Sequence, residues 1–225
     1  MKAEKETQNI SANLAAALLA KYKPSSKVLP KIVAFIKKHD KFLLTTHISA
    51  DADGIGSQVG FYYLLKALKK DVKILNNEPV PQFLQGFMPT RLVGYIEDPS
   101  STKKITGALS FAQAEKLARG RFVFILDSSE PKRSERVGEL FMNLNLPWAT
   151  IDHHVLANQK EFCVDPTYAA TAEMVWELYK YLKIKIPKEA ALPLYTGLVA
   201  DSGNFRYPKT SLRTHLAAGE LIGYG

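Results

Sequence analysis

The run Phe122-Val123-Phe124-Ile125-Leu126 is apolar at every position and is followed at once by Asp127. A strand with one face in water alternates polar and apolar side chains, whereas one apolar throughout must be covered on both faces. Phe42-Leu43-Leu44 has the same character ahead of His47, Asp51 and Asp53, and Pro147-Trp148-Ala149-Thr150-Ile151 leads into Asp152-His153-His154. Between these runs the spacing predicts helices over 30–39, 56–70, 111–118, 172–182 and 211–222, alternating with strands over 41–46, 71–75, 121–126 and 148–151. Alternation of this kind predicts an α/β fold, a doubly wound and mostly parallel sheet with helices on both faces. Ligands of such sheets bind at the carboxyl ends of the strands, where His47, Asp51, Asp53, Asp127, Asp152 and His153 fall.

Residues 1–28 predict an appended helix and linker, with Ile10, Leu14 and Leu18 at helical spacing and Pro24-Ser25-Ser26 closing it; residues 29–225 predict one domain. With 225 residues, 46% of them hydrophobic and 23% charged, the chain has material for one substantial core. The single Cys163 excludes an internal disulfide and a thiolate zinc cluster, so any metal must be held by His and Asp. The apolar stretch 12–20 is too short to span a bilayer, and Glu4 and Glu6 spoil a secretory n-region, so a cytoplasmic protein that does not enter the membrane is expected. The formal charge of +8 favours an anionic ligand.

At least four carboxylates gathered in one crevice repel one another and require cations. His47 stands four residues before Asp51 and can complete one ion's shell, His153 can serve a second, and Asp127 is placed to bridge them. Carboxylates and imidazoles without thiolates suit Mn²⁺ or Mg²⁺, with Zn²⁺ and Co²⁺ as alternatives. Two divalent ions about 3.5–4 Å apart are a recurring device of phosphoryl chemistry.

His47-x-x-x-Asp51-x-Asp53-x-x-Gly56-Ser57, Asp127, Asp152-His153-His154 and the segment Gly197-Leu198-Val199-Ala200-Asp201-Ser202-Gly203-Asn204-Phe205-Arg206-Tyr207 resemble the four motifs of the DHH phosphoesterase family. Within it the chain looks nearest to the bacterial oligoribonucleases that degrade nanoRNA and dephosphorylate 3'-phosphoadenosine 5'-phosphate. The resemblance implies that His47, Asp51 and Asp127 hold one Mn²⁺-type ion, and that Asp53, Asp127, His153 and Asp201 hold the other. It implies hydrolysis of short RNA or nucleotide phosphates by a hydroxide bridging two metals, with Asp127, Asp152 and His154 in the catalytic machinery. His154 is expected to meet the substrate phosphate and Asp152 to orient a ligand.

Asp165-Pro166-Thr167 through Thr171-Ala172-Glu173 also resembles the family, whereas Ala50 replaces a Pro common in relatives and the segment 128–135 is longer than usual. Relatives carry a smaller C-terminal domain with a Gly-rich, His-containing motif that grips the substrate; this chain is expected to lack it, so that the metal site is complete while the other wall of the cleft is missing. A cyclic-dinucleotide phosphodiesterase, a RecJ-like exonuclease, a manganese pyrophosphatase and a non-catalytic nucleotide-binding module stay open as alternatives, as does a homodimer.

Arg206 and Arg213 are candidate phosphate clamps, because guanidinium can grip two phosphate oxygens. The glycines of Gly54-Ile55-Gly56-Ser57-Gln58-Val59-Gly60 do not keep dinucleotide-binding spacing and predict a turn and close helix packing. Trp176, Tyr179 and Tyr181 predict a packing face, and His39 and His215 exposed or structural positions.

Overall fold

A computed structural model of the chain describes residues 17–97, 107–155 and 163–224. Its elements run α1 (Leu29–Lys38), β1 (Lys41–Thr45), α2 (Ala52–Ala67), β2 (Asp71–Asn76), β3 (Val93–Tyr95), α3 (Phe111–Ala118), β4 (Phe122–Leu126), α4 (Glu135–Asn143), β5 (Trp148–Asp152), β6 (Cys163–Val164), α5 (Thr171–Tyr181), α6 (Lys188–Asp201) and α7 (Leu212–Ile222). Every described strand pairing is parallel, in the spatial order β3-β2-β1-β4-β5-β6. The expectation of a doubly wound sheet holds, and "mostly parallel" becomes parallel throughout the described strands.

Strand pleating explains the continuous apolar runs. On β1 and β4, Phe42, Leu44, Phe122, Phe124 and Leu126 face a core built with α1, α2, α5, α6 and α7, while Leu43, Val123 and Ile125 face a smaller core under α3 and α4. All eight side chains are at most 3% exposed, so both faces of the sheet are covered along this stretch. The winding direction reverses between β1 and β4, which opens a crevice at their carboxyl ends.

Four elements escaped the sequence reading. β3 and β6 are three and two residues long, too short for a periodic signal, and exist through pairing with β2 and β5. α4 was not recognised, and α6 was hidden because Pro193 lies inside it. α2 begins at Ala52 rather than Gly56, because Asp51 caps it: its Oδ1 accepts the amides of Asp53 and Gly54, each at 3.0 Å.

α2 is buried on nearly every side, and its glycines allow α6 to approach. A Cβ on Gly56 would lie 2.3 Å from the carbonyl oxygen of Pro193, and one on Gly60 would lie 2.3 Å from Leu194 Cδ2. The predicted close packing is therefore real, whereas the predicted turn at these glycines is the first two turns of a helix.

Ile10 and Leu14 of the expected N-terminal helix lie outside the described residues. Residues 17–21 are helical, and the segment after them is fastened to the domain. Tyr22 donates its hydroxyl to Glu177, and Ser26 Oγ donates to Asp165 Oδ2 at 2.6 Å. No helix among the described residues is long and apolar enough to cross a membrane.

Candidate metal centre

The crevice between β1 and β4 gathers side chains from five parts of the chain. His47 follows β1 and its Nδ1 lies 2.7 Å from the carbonyl oxygen of Ile48. A carbonyl only accepts, so Nδ1 carries a proton and, in the neutral ring, Nε2 keeps its lone pair. That Nε2 lies 3.6 Å from Asp127 Oδ2 and 4.0 Å from Asp51 Oδ1. His153 repeats the device: its Nδ1 lies 3.3 Å from the carbonyl oxygen of Tyr168, and its Nε2 turns toward carboxylates.

Those carboxylates are Asp201 Oδ2 at 2.8 Å, Asp127 Oδ1 at 3.6 Å and Asp53 Oδ2 at 3.9 Å. Although the Asp201 contact is short, the buried Nε2 has no hydrogen-bond partner. A buried nitrogen lone pair ringed by three carboxylates fits a cation and little else. Ligand atoms of His47, Asp51 and Asp127 lie within 4.8 Å of one another, as do those of Asp53, His153 and Asp201, and those of Asp127, His153 and His154. These sets could each hold a metal ion.

Asp127 joins the sets because its two oxygens face opposite ways, Oδ2 to His47 and Oδ1 to His153. Its backbone is left-handed, with φ of 57°, a conformation that Asp tolerates better than most residues and that turns the chain sharply at the end of β4. Thr171 Oγ1 donates to Asp127 Oδ1 at 3.1 Å.

Asp53 is held from further away in sequence. Its Oδ2 accepts the amide of Thr171 at 2.6 Å and its Oδ1 the amide of Ala172 at 2.8 Å. Ala170, the N-cap of α5, offers no capping side chain, so Asp53 caps that helix from another element. Burial first, then the charges of Asp127 and Asp201, push the Asp53 carboxyl well above the usual carboxylate range. Burial likewise raises Asp127, against the opposing effect of His47. The hydrogen bond to Asp127 raises the His47 imidazole.

Asp152 stands behind the cluster. Its Oδ2 accepts Ser129 Oγ at 2.5 Å, and its Oδ1 accepts His154 Nδ1 at 2.7 Å and the His154 amide at 3.1 Å. Burial alone would raise its carboxyl, but hydrogen bonds from His154 and Ser129 outweigh it and hold the group at about 2. Asp152 in turn raises the His154 imidazole, whose side chain is 47% exposed. With Nδ1 engaged, His154 presents Nε2 outward.

The two arginines fare differently from the expectation. Arg213 is committed to packing: Nη2 donates to Thr167 O at 2.8 Å, Nε lies 3.2 Å from Glu173 Oε1, and the guanidinium sits 3.6 Å from the Tyr168 ring centre. Among the described residues it makes these contacts rather than one with the cluster. Arg206 is exposed and bonds Gly203 O through Nε at 2.9 Å, which leaves it near the Asp201 turn without placing it on the cluster. His39 packs on Phe122 with ring centres 4.4 Å apart, and His215 on Phe205 at 5.3 Å, as structural rings. Trp176 and Tyr179 are fully buried, while Tyr181 is 40% exposed.

Sequence reasoning missed Ser129 and the capping roles of Thr171 and Ala172. Nothing local marks Ser129, whereas the 165–173 segment carried a resemblance without an assigned task.

A parallel sheet of this order, with paired His and Asp sets at its switch point, defines an α/β scaffold able to hold metal ions, and the chain belongs to the DHH family, matching its N-terminal domain over residues 41–198. It is 36% identical over 186 residues to the bifunctional oligoribonuclease and PAP phosphatase NrnA of Thermus thermophilus, spanning 81% of this chain and 49% of that protein. A Lactococcus lactis protein named "Probable manganese-dependent inorganic pyrophosphatase" is 27% identical over 188 residues, 81% of this chain and 55% of that one. An exopolyphosphatase-related protein from Bacteroides fragilis shares the fold with a TM-score of 0.71 at 24% identity, over 89% of this chain and 57% of the other. The chain thus spans about half the length of the curated relatives it matches.

Proposed function

We propose that this domain is the metal-binding half of a phosphoesterase that hydrolyses short oligoribonucleotides and 3'-phosphoadenosine 5'-phosphate with two divalent ions, Mn²⁺ foremost. The observation that carries the reading is His153 Nε2, buried, without a hydrogen-bond partner and surrounded by Asp53, Asp127 and Asp201. Likeness to the Thermus thermophilus NrnA protein supports the substrate class, and likeness to the manganese-dependent pyrophosphatases supports the ion.

His47, Asp51 and Asp127 would hold one ion, and Asp53, Asp127, His153 and Asp201 the other. The ions would supply an activated water nucleophile and neutralise charge on the phosphate oxygens. The protein's own contribution is preorganisation. Two backbone carbonyls fix the tautomers of His47 and His153, the α5 amides fix Asp53, and Ser129 fixes Asp152 behind His154. His154, its proton affinity raised by Asp152, would donate from Nε2 to a phosphate oxygen.

A Mn²⁺-dependent assay comparing a short RNA, 3'-phosphoadenosine 5'-phosphate and pyrophosphate tests the assignment. Release of mononucleotides or of the 3'-phosphate supports it; activity on pyrophosphate alone replaces it with the pyrophosphatase reading. Activity on none, in a protein completed to the length of the relatives, removes the enzymatic reading.

A further inference from the structure

Behind His153 and Asp201 the surface opens into a cavity of about 320 Å³, lined also by Ala169, Ser202, Tyr207 and Lys209. Its outer wall is the turn that follows α6. Ser202 O accepts the amides of Arg206 and Tyr207, both at 3.0 Å, and the Tyr207 ring lies on Gly203 so closely that a Cβ there would come 2.6 Å from it. The ring is thus fixed although 57% of the residue is exposed. Beyond it, Lys209 Nζ donates to the carbonyl oxygen of His153 at 3.1 Å. This bond ties the turn to the backbone of a cluster residue and fixes where the ammonium stands.

An ammonium has three donors, and the His153 carbonyl uses one. No carboxylate among the described residues pairs with Lys209 within ion-pair distance, even though Asp201 lines the same cavity. Its charge therefore faces the space beside the cluster. From these positions we infer that Lys209 and Tyr207 form a subsite for the nucleotide part of the substrate, with Lys209 meeting a phosphate other than the one being cleaved and Tyr207 offering its ring to the nucleoside.

The inference rests on the two-metal reading and sharpens it. Metal ions would neutralise the phosphate under attack but not a second phosphate, which needs a cation of its own. A fixed exposed aromatic ring next to that cation suits a nucleoside, since every base has a face to stack. Orthophosphate, which has no second phosphate and can be engaged by the metals alone, would gain little from Lys209. The subsite would therefore discriminate nucleotide phosphates from orthophosphate.

The test is calorimetric titration of the Mn²⁺-loaded chain with three probes: a non-hydrolysable thiophosphate analogue of 3'-phosphoadenosine 5'-phosphate, the same analogue of a 5'-phosphorylated diribonucleotide, and orthophosphate. For Lys209→Met, affinity for at least one nucleotide probe should fall about tenfold and its log–log salt slope should shrink by about one, with Lys209→Arg restoring most of both. Which nucleotide probe responds identifies the source of the second phosphate. Orthophosphate affinity and the number of bound Mn²⁺ ions should not change.

Unchanged nucleotide affinity in Lys209→Met overturns the inference, and so does parallel loss of Mn²⁺, which would mean that Lys209 only supports the His153 backbone. Failure of the wild-type chain to bind either nucleotide probe while it takes up Mn²⁺ and orthophosphate also overturns it and leaves the metal centre standing. Failure to take up Mn²⁺ at all overturns the two-metal reading itself.

Discussion

The amide of Thr171 reaches Asp53 Oδ2 at 2.6 Å across a sequence separation of 118, and this bond fixes the orientation of a carboxylate at the heart of the cluster. One acid thereby does two jobs: it caps α5 and faces His153. Where a carboxylate also anchors a helix, stability and site geometry are coupled, and the following outcomes are expected.

Asp127→Ala should abolish metal uptake at both positions, because its two oxygens serve different sets. The bound-ion count, by native mass spectrometry or atomic emission, should drop from two to none. Retention of two tightly bound ions would refute the bridging role.

Asp201→Asn should weaken metal binding without weakening the metal-free fold. Asp201 ends α6, where a negative charge opposes the helix dipole by about 0.3–1 kcal/mol, and its charge also raises Asp53. In EDTA the melting temperature should hold or rise, while the gain on adding Mn²⁺ shrinks. A loss of more than about 1 kcal/mol in EDTA would show that the His153–Asp201 contact stabilises the metal-free protein.

The metal-free protein should lose stability as pH rises above about 3.9. Asp53 and Asp127 have folded pKa values raised above the unfolded value of about 3.9, so the folded state binds more protons and each step upward through that window favours unfolding. His47 and His154, also raised, contribute stability present below about 6.5 and lost as pH climbs through their folded values. Asp152, held at about 2, acts in the opposite sense, and its contribution is lost only in strong acid. Saturating Mn²⁺ should reverse the neutral-pH trend, since metal competes with protons for the same ligands. A melting temperature in EDTA that is flat or rising over this range would contradict the assignment.

Gly56→Ala should destabilise the fold by about 1–3 kcal/mol or more, because the added methyl meets the rigid carbonyl of Pro193 rather than a movable side-chain end. Gly219→Ala, where a Cβ meets nothing within 4 Å, is the control. Urea denaturation of the pair measures the difference, and equal midpoints would mean that α2 and α6 do not need their close approach.

Much of this was legible in the residues. β4 was readable because burial on both faces leaves only apolar positions, and Asp127 stood out as the first polar residue after it. The phase of α2 was not readable, since Gly54 and Gly56 argue against a helix that Asp51 starts and tertiary burial sustains. The surroundings of Arg213 were not readable for a related reason: a guanidinium suits phosphate or an aromatic-and-carboxylate cage equally well, and only the fold brings Tyr168 and Glu173 to it. Asp201 was recognised by its motif, although the helix that carries it was hidden by Pro193.

The sequence by itself determined the α/β alternation, the family, and the types of side chain that gather at the strand ends, because these follow from local periodicity and short motifs. Only the tertiary structure decided which oxygen of Asp127 faces which histidine, that Asp53 rests on the α5 amides, and that Asp152 stands behind His154. Hydrogen bonds and ion pairs act over a few ångströms, and many of the partners that set these orientations are tens of residues or more apart along the chain.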